Sequence, residues 1–348
     1  MIRALVSDLM HDRASGPAAQ LAKGALWAVS QLYGVGVSFW DAGYRSKRFQ
    51  IHKLGYPVIS VGNLTVGGTG KTPFLRVLAR QLEAKGEKVA ILSRGYGAIG
   101  PGISDETLEL KHSLPGVSLC VGKNRLKQAQ QALATHPPTV FLLDDGFQHR
   151  RIHRDLNICL MDATNPFGNG HLLPGGILRE RPSALKRADL FVLTHLEGWP
   201  STSNLLAFLD KTAPGIPIVF ARHRARGCHQ VGGNSLPLEK LKTERPFVFS
   251  GLADPSSLDR TLQELGVHPI DHRRFLDHHP YTRWELETIE KQAKKLTAGS
   301  LLTTQKDLAR IQSVGHSFEM PLFVLEIEME LFQNERELTN RLDTLLQR

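Results

Sequence analysis

The stretch Val58-Ile-Ser-Val-Gly-Asn-Leu-Thr-Val-Gly-Gly-Thr-Gly-Lys-Thr-Pro73 decides the fold of this chain. It runs from a β-branched strand through a glycine-rich loop to the start of a helix. Glycines allow consecutive backbone N–H groups to point inward, and the helix N-terminus adds the positive end of its dipole. We therefore predict a phosphate-binding loop in which Lys71 reaches the β- and γ-phosphates of a nucleotide and the Thr72 hydroxyl holds Mg²⁺.

One position of this loop departs from the strict pattern. The pattern has glycine six residues before the lysine, and here that position is Thr65. The additional glycines Gly67, Gly68 and Gly70 keep the loop pliable. The alternative is a glycine-rich turn without function, although Gly-Lys-Thr at a strand–helix junction favours the phosphate site.

An apolar strand that ends in two acidic residues follows later in the chain, in Val140-Phe-Leu-Leu-Asp-Asp-Gly-Phe-Gln-His-Arg150. In a doubly wound sheet, the strand beside the phosphate loop delivers an acidic side chain at its carboxyl end, where it binds Mg²⁺ directly or through water. Asp144 and Asp145 are placed for this role. By itself an Asp-Asp-Gly sequence after a strand is a common turn, so the prediction depends on the loop as well.

Short apolar runs alternate with helix-length amphipathic stretches from Pro57 onward, which is typical of βα units around a parallel sheet. The fold class predicted is α/β: a P-loop NTPase-like, doubly wound, mostly parallel sheet with a smaller α/β second domain. Strands are predicted at 58–61, 88–92, 117–121, 139–143, 156–161, 190–193 and 216–220, and helices at 71–85 and 125–134. The stretch 222–234 is predicted to include a linker or hairpin.

The second domain shows a further set of alternations. Strands are predicted at 247–249 and near Leu301 and Leu322, and helices near 256–265, at 283–296 and from Glu330 to the C-terminus. The predicted organisation is a loosely ordered extension (1–19), an N-terminal membrane-interface helix (20–45), a core domain (46–225), a smaller α/β domain with its linker (226–330) and a C-terminal helix (331–348).

The segment Gly24 to Trp40 contains no charged residue, and Lys23 and Arg45 flank it. It carries four aromatic residues, Trp27, Tyr33, Phe39 and Trp40. Aromatic residues with nearby cations suit a helix that lies in the membrane interface. A core helix of the first domain is the alternative. No stretch of the chain is long and apolar enough to predict a membrane span, and the N-terminus lacks the pattern of a secretory signal.

Composition points to an acidic partner. The chain of 348 residues has 43 lysines and arginines against 34 acidic residues, a formal net charge of +9. Such a surplus indicates nucleic acid, an anionic membrane surface or a phosphorylated substrate. The three cysteines, Cys120, Cys159 and Cys228, follow no metal-ligand spacing and are interpreted as small apolar residues in a reduced compartment.

At this point the sequence closely resembles one family, the tetraacyldisaccharide 4′-kinases of lipid A biosynthesis. The matching segments occur in the family's order over residues 20 to 345, and Thr also stands in the family where the strict loop has glycine. They are 60–73 of the loop, Leu92-Ser-Arg-Gly-Tyr-Gly97, Asp144-Asp-Gly-Phe-Gln-His-Arg150, Phe167-Gly-Asn-Gly170, Leu172-Leu-Pro-Gly-Gly176, Leu178-Arg-Glu-Arg-Pro182, Asp277-His-His-Pro-Tyr-Thr282 and Leu302-Thr-Thr-Gln-Lys-Asp307.

The resemblance implies an activity, cofactors and a location. Such kinases use ATP and Mg²⁺ to phosphorylate the 4′-hydroxyl of a tetraacylated glucosamine disaccharide 1-phosphate. They work as peripheral proteins at the cytoplasmic face of the bacterial inner membrane, so the implied partners are the lipid substrate and an anionic membrane surface. We expect no nucleic-acid partner, and the sequence indicates no obligate protein partner. The N-terminal interfacial helix also belongs to the family picture and favours the membrane interpretation of residues 20 to 43.

The resemblance also assigns site residues. Besides Lys71, the implied catalytic groups are Asp105 as the base and His278 as the group that orients it. Ser104-Asp-Glu-Thr107 stands where the family has Gly-Asp-Glu-Pro, so the neighbours of Asp105 differ; an Asp-Glu pair on a loop is otherwise a solvated turn, and His279 is an adjacent rival of His278. The implied ATP-binding residues are Asn63, Thr65, Val66, Gly67, Gly68, Thr69, Gly70, Lys71 and Thr72. The metal ligands are Thr72, Asp144 and Asp145, and the substrate-binding candidates are His149, Arg150, Arg179 and Glu180.

Two other classes of protein share some of these features. A nucleotide-driven switch or metal-insertion GTPase also has a P-loop and strand-end aspartates, but guanine recognition usually needs an Asn-Lys-x-Asp sequence. The nearest text here, Thr304-Gln-Lys-Asp307, lacks the asparagine. A basic nucleic-acid-binding ATPase is disfavoured by the aromatic content of 7% and by the absence of aromatic residues interleaved with the cations.

Overall fold

A computed structural model describes residues 10, 16–95, 110–111, 113–196, 202–233, 235–252, 255–277 and 279–347. The chain forms two compact units, which we call unit 1 and unit 2. Unit 1 comprises residues 1–221 together with 331–348, and unit 2 comprises residues 222–330. The chain passes from one unit to the other within two long strands.

Unit 1 has a parallel sheet with helices between its strands. Its strands are β1 (Val58–Asn63), β2 (Val89–Ser93), β3 (Ser118–Val121), β4 (Val140–Asp144), β5 (Leu156–Asp162), β6 (Leu190–Thr194) and the first part of β7 (Ile218–Gln230). Its helices are α1 (Pro17–Arg45), α2 (Lys71–Ala84), α3 (Arg125–Thr135), α4 (Ser203–Thr212) and, from the end of the chain, α9 (Glu335–Leu346). A 3₁₀-helix covers Pro182–Arg187.

The order of strands in this sheet places β1 at its centre. The order is β7-β6-β5-β1-β4-β2-β3, and all these neighbours are parallel. The chain therefore winds to one side of β1 through β2, β3 and β4 and to the other through β5, β6 and β7. In such a doubly wound sheet the ligand site lies outside the carboxyl ends of the strands at this switch point, which is where the glycine-rich loop follows β1. The predicted fold class is confirmed.

The core of unit 1 follows from sequence pattern. All six residues of β1 are buried, as expected for a central parallel strand with helices over both faces. Helix α2 buries Leu75, Leu78 and Leu82, whose spacing of three and four residues puts them on one face. Burying side chains of this size stabilises the fold by about 1.5–3 kcal/mol each relative to exposure.

Helix α1 packs against the rest of unit 1 along a narrow stripe of mostly small and polar residues. Of its 29 residues four are buried, Ser30, Gly34, Gly43 and Tyr44, so the core-helix alternative does not hold. The Ser30 hydroxyl donates to the Leu172 carbonyl at 2.8 Å and accepts from the Gly175 N–H at 2.8 Å. Large apolar side chains of this helix remain exposed to solvent: Leu21, Trp27, Val29, Leu32, Tyr33, Val35, Phe39 and Trp40. Among the described residues no helix has the length and apolar character needed to cross a membrane.

Unit 2 is a smaller α/β structure. Its parallel strands are β9 (Phe247–Ser250), β10 (Asp271–Arg274), β11 (Leu301–Thr304) and β12 (Leu322–Gln333), in the order β10-β9-β11-β12. The short β8 (Ser235–Leu236) pairs antiparallel with β7. The helices are α5 (Leu238–Glu244), α6 (Pro255–Glu264), α7 (Arg283–Lys295) and α8 (Gln305–Ser313).

The predicted elements are found with ends that coincide or are shifted by up to three residues, with two corrections. The strand predicted at 216–220 extends to Gln230 as β7 and lies beside β12, and its antiparallel pairing with β8 fits the hairpin predicted within 222–234. Arg222 and His229 on β7 pair with Glu330 and Glu326 on β12, so the two strands run in opposite directions. In addition, the C-terminal helix begins at Glu335 rather than Glu330 and belongs to unit 1.

Candidate nucleotide and phosphoryl-transfer site

The phosphate loop leads directly into helix α2. Gly70, immediately before the helix, has a left-handed backbone with φ of 79°, and Gly67 has φ of 121°. These conformations are inexpensive only for glycine, and they leave the first N–H groups of α2 free to face a phosphate. The Lys71 ammonium group donates to Asn63 Oδ1 at 3.1 Å, so the lysine turns back over the end of β1.

Thr65, the departure from the strict loop pattern, has a structural reason. It forms an isolated antiparallel bridge with Leu178 and is buried. Beside this bridge the Val66 N–H donates to the Ile177 carbonyl and the Arg179 N–H donates to the Leu64 carbonyl, each at 2.8 Å. An extended residue is needed at Thr65 because the loop pairs with another segment. That pairing carries Arg179 to the site.

Asp145 is the charge partner of both cations. Its carboxylate lies 3.7 Å from the Lys71 ammonium group and accepts from Arg179 Nη1 at 2.8 and 2.7 Å. Burial by itself raises the pKa of Asp145, but Lys71 and Arg179 outweigh this effect and hold the pKa below its usual value. Asp145 also has a left-handed backbone with φ of 48°. Such strain costs on the order of 1–3 kcal/mol and tends to cluster at functional sites.

Asp144, the last residue of β4, is held differently. Its Oδ2 accepts from the Ser93 hydroxyl at 2.8 Å, and its backbone carbonyl accepts from Arg125 Nη2 at 2.7 Å. Burial raises the pKa of Asp144, and the Ser93 hydrogen bond opposes that rise. The two neighbouring carboxyls therefore differ: Asp145 is the stronger acid, and Asp144 is the deeper and more protected group.

Two glycines allow the turn after β4 to approach β1. A Cβ at Gly62 would lie 2.5 Å from the Phe147 backbone nitrogen, and one at Gly146 would lie 2.5 Å from the Ser60 hydroxyl. Both distances are shorter than real Cβ contacts. The tight approach places Gln148 so that it donates to the Asn63 carbonyl at 2.9 Å and accepts from Arg179 at 3.3 Å.

The substrate-binding candidates have different surroundings. His149 is partly buried, its Nε2 has no hydrogen-bond partner in the part of the chain that is described, and burial together with Arg125 and nearby arginines lowers its pKa to about 4. Arg150 forms an ion pair with Asp41 of α1 and lies 4.9 Å from the centre of the Tyr44 ring. Glu180 is buried and accepts from Arg187 at 2.8 Å.

The structure brings most of the sequence-predicted residues together in unit 1. Asn63, Lys71, Asp145 and Arg179 form one hydrogen-bonded network, and Asp144 lies beside them. Asp105 and His278 lie outside the described residues. The rival His279 is in unit 2, where its Nε2 lies 3.0 Å from Glu285 Oε1 and its ring stacks on Phe275.

Sequence reasoning missed four further contributors. Ser93 and Arg125 contact Asp144 directly, and Gln148 is linked to Asp145 through Arg179. The fourth, Thr194, donates to the carbonyl of Thr69 in the loop at 3.2 Å. Thr194 ends β6 and Ser93 ends β2, so a search for polar residues at the ends of predicted strands would have found both. The other two are Arg125 and Gln148.

The donors and charges of this site suit one kind of chemistry. A loop with inward N–H groups, one lysine and strand-end carboxylates is what nucleoside triphosphates and their Mg²⁺ require. Mg²⁺ usually takes one or two carboxylates and completes its shell with water and phosphate oxygens, which fits Thr72, Asp144 and Asp145. The fold and this site together define a P-loop phosphotransferase.

Comparison with known proteins gives the family. The family model Tetraacyldisaccharide-1-P 4′-kinase matches residues 22–347, and the chain belongs to this family. The tetraacyldisaccharide 4′-kinase of Geobacter metallireducens is 40% identical over 311 residues, which cover 83% of this chain and 89% of that protein. The enzyme of the same name from Anaeromyxobacter sp. strain Fw109-5 is 37% identical over 358 residues and covers 97% of this chain and 95% of its own.

A solved structure supports the same assignment. The crystal structure of LpxK from Aquifex aeolicus in complex with ATP is 32% identical to this chain. It superposes with a TM-score of 0.73 and covers 93% of this chain and 99% of that one. Similarity over nearly the full length means that both units, and not the P-loop core alone, are shared with that protein.

We predict that Ser93→Ala weakens the affinity of this site for Mg²⁺. The substitution removes the hydroxyl that donates to Asp144, and loss of a partner behind a metal ligand typically costs about 10–100-fold in metal affinity or activity. Titrating Mg²⁺ at fixed ATP should give a half-saturating concentration raised by about tenfold or more, with Ser93→Thr close to wild type. Ser118→Ala, an exposed serine at the start of β3, is the matched control. An unchanged Mg²⁺ midpoint in Ser93→Ala would show that the hydrogen bond has no part in metal binding.

Proposed function

We propose that this protein transfers the γ-phosphate of ATP to the 4′-hydroxyl of a tetraacylated glucosamine disaccharide 1-phosphate. The product is the 1,4′-bisphosphate of lipid A biosynthesis. The observation that carries the proposal is the Lys71–Asp145–Arg179 network at the end of β1 and β4, in a chain that belongs to the 4′-kinase family over residues 22–347. Acceptor-dependent transfer distinguishes this function from that of a switch GTPase, which releases inorganic phosphate.

The site residues divide the work as follows. Lys71 and the N–H groups from Gly67 to Thr72 would bind the triphosphate. Thr72, Asp144 and Asp145 would hold Mg²⁺, which would neutralise charge on the phosphates. Asn63, Thr65, Val66, Gly68 and Thr69 complete the ATP-binding loop. We infer that Arg150 and Glu180, which pair with Asp41 and Arg187, shape the acceptor side. We place His149, whose Nε2 has no hydrogen-bond partner among the described residues, nearer to the acceptor, together with Arg179.

The proton of the acceptor hydroxyl needs a base, because a sugar hydroxyl is a poor nucleophile and loses its proton as the new P–O bond forms. We assign this role to Asp105, oriented by His278. The support is the resemblance of Ser104-Asp-Glu-Thr107 and Asp277-His-His-Pro-Tyr-Thr282 to the family's segments. The structure gives His279 other partners, Glu285 and Phe275, which favours His278 as the functional histidine.

We also propose that the protein works at the cytoplasmic face of the inner membrane as a peripheral protein, with α1 lying in the anionic interface. The support is the arrangement of α1: its small and polar stripe is docked on unit 1, while Leu32, Val35 and Phe39 are 75%, 67% and 70% exposed. Apolar side chains of this size in contact with water are stabilised by transfer to lipid. The lipid substrate is found in the same place.

The function is tested by incubating the protein with ATP, Mg²⁺ and the disaccharide 1-phosphate and measuring the lipid's mass for one added phosphate. Lys71→Ala and Thr72→Ala should each lower turnover by roughly a hundredfold or more, because each removes a group that stabilises the transition-state charge. If both variants keep more than about a tenth of wild-type turnover, the phosphate-loop assignment is wrong. ATP hydrolysis without a phosphorylated lipid would instead support the switch alternative.

We predict that Asp105→Asn lowers turnover by roughly a hundredfold or more and leaves ATP affinity nearly unchanged, since general-base catalysis contributes about 10²–10⁴-fold. His278→Ala should be similarly harmful, and the double variant little worse than either single one, because groups that act as a unit are not additive. Single-turnover kinetics and ATP binding measure the two effects. A silent His278→Ala together with a damaging His279→Ala in a protein of unchanged thermal midpoint would reject the pair.

The interfacial role of α1 predicts that Leu32→Glu with Phe39→Glu lowers binding to anionic vesicles by about tenfold or more, since burying each such side chain is worth about 1.5–3 kcal/mol. The matched control is Gln20→Glu with Gln31→Glu, which adds the same charge at exposed polar positions of the helix. Vesicle flotation measures binding, and turnover on detergent-dispersed acceptor reports an intact site. Equal flotation of both double variants would contradict the role of the apolar face.

A further inference from the structure

Unit 2 carries two large apolar side chains that are almost fully exposed. Leu276 is 79% exposed and Trp284 is 70% exposed. Among the described residues outside α1 these are the two most exposed large apolar side chains; the next, Ile51, is 44% exposed. Single exposed apolar residues need no explanation, but two this far into solvent on neighbouring turns of a compact unit require one.

The backbone that carries these two side chains is held by hydrogen bonds and packed aromatic rings. The His279 N–H donates to the Leu276 carbonyl at 3.1 Å and closes the turn that follows Leu276. The His279 ring contacts Glu285, which connects this turn to the first turn of α7. Underneath, the Phe275 ring stacks on His279 at 4.5 Å and meets Tyr281 edge-on at 5.2 Å. Helix α7 starts with a complete capping box, in which Thr282 and Glu285 exchange hydrogen bonds.

Positive charge lies beside this apolar pair. The Arg273 guanidinium lies 5.2 Å from the centre of the Phe275 ring, and its Nη1 donates to the neutral Gln292 side chain. Arg283 is exposed at the first position of α7. Within the described chain neither arginine pairs with a carboxylate, whereas the nearby Asp277 carboxylate lies 3.6 Å from the Lys306 ammonium group. Arg273 and Arg283 are therefore cations without a carboxylate partner in the described chain; Arg273 lies three residues before Leu276 and Arg283 directly before Trp284.

An aromatic ring and an aliphatic side chain with nearby cations that have no carboxylate partner match an anionic bilayer surface. Tryptophan is favoured at the membrane–water boundary, where its ring contacts acyl chains and its N–H stays hydrated, and each nearby cation adds attraction to anionic headgroups. A second copy of this chain would bring the same two arginines against themselves, which opposes self-association through this patch.

We propose that Leu276 and Trp284, with Arg273 and Arg283, form a second lipid contact, by which unit 2 binds the anionic bilayer surface independently of α1. The inference rests on the proposed function, because it deepens the peripheral membrane binding of a lipid kinase. Two separate contacts turn weak individual binding into stable binding, because the second forms at high effective concentration.

The test uses tryptophan fluorescence, since the chain has four tryptophans and one belongs to the patch. The full-length variant Trp27→Phe, Trp40→Phe, Trp199→Phe leaves Trp284 as the single reporter. On adding vesicles of phosphatidylcholine with 30% phosphatidylglycerol, we expect a blue shift, and at least twofold quenching when the lipids carry bromine on their acyl chains. A variant that keeps Trp40 alone reports α1 in the same vesicles.

Vesicle flotation supplies the matched pair. Leu276→Glu with Trp284→Glu should lower vesicle binding at least fivefold and leave turnover on detergent-dispersed acceptor within twofold of wild type. Leu296→Glu, at the other end of α7 and 43% exposed, should change neither. The Trp40 reporter separates this inference from the membrane proposal: quenching of Trp40 without quenching of Trp284 overturns the second contact and leaves the role of α1 intact.

Two other outcomes overturn the inference. A Trp284 blue shift that rises with protein concentration in the absence of vesicles would make the patch a contact between copies. Loss of turnover in detergent by the Leu276→Glu, Trp284→Glu variant, with an unchanged thermal midpoint, would make it part of the acceptor site.

Discussion

The balance of charge around Asp145 is the interaction on which the rest of unit 1 depends. Its carboxylate faces the Lys71 ammonium group and accepts two hydrogen bonds from Arg179 Nη1. Two cations this close in a partly buried site would repel each other without it. Arg179 reaches the carboxylate because its own segment is hydrogen-bonded to the loop at Leu64 and Val66.

The same segment anchors α1, so the phosphate site and the exposed helix share one support. On one side of the segment 172–179, the Leu172 and Arg179 carbonyls accept hydrogen bonds from the Ser30 and Tyr33 hydroxyls of α1. On the other side, the segment pairs with the phosphate loop. Helix α1 also reverses the usual arrangement of a surface helix. Its small and polar residues face the protein, with Gly34 close against Leu172, and its large apolar residues face outward.

Sequence pattern reaches those parts of the structure whose signal is local. Strands β1, β2, β4, β5 and β6 are evident because buried parallel strands are continuous apolar runs. Lys71, Thr72, Asp144 and Asp145 are evident because their loop and strand-end motifs are contiguous. The strand β7 is different: its alternating arginines indicate a strand only when Glu328 and Glu330, about a hundred residues away, are known to lie opposite. Ser93 and Arg125 were missed because their role depends on strand order, which brings the ends of β2 and β4 together.

The two ends of unit 2 lie next to each other. Arg222 Nε, at its first residue, is 3.0 Å from Glu330 Oε2, at its last, so the chain leaves unit 1 and comes back at nearly the same point. Unit 2 is thus an insertion that begins within β7 and ends within β12, and a very short connection could join the two remaining parts of unit 1. Domains with adjacent ends are readily gained, lost or exchanged. In evolutionary terms, an ancestral phosphate-binding core could acquire unit 2 in one genetic event, without any change to the order of its own strands.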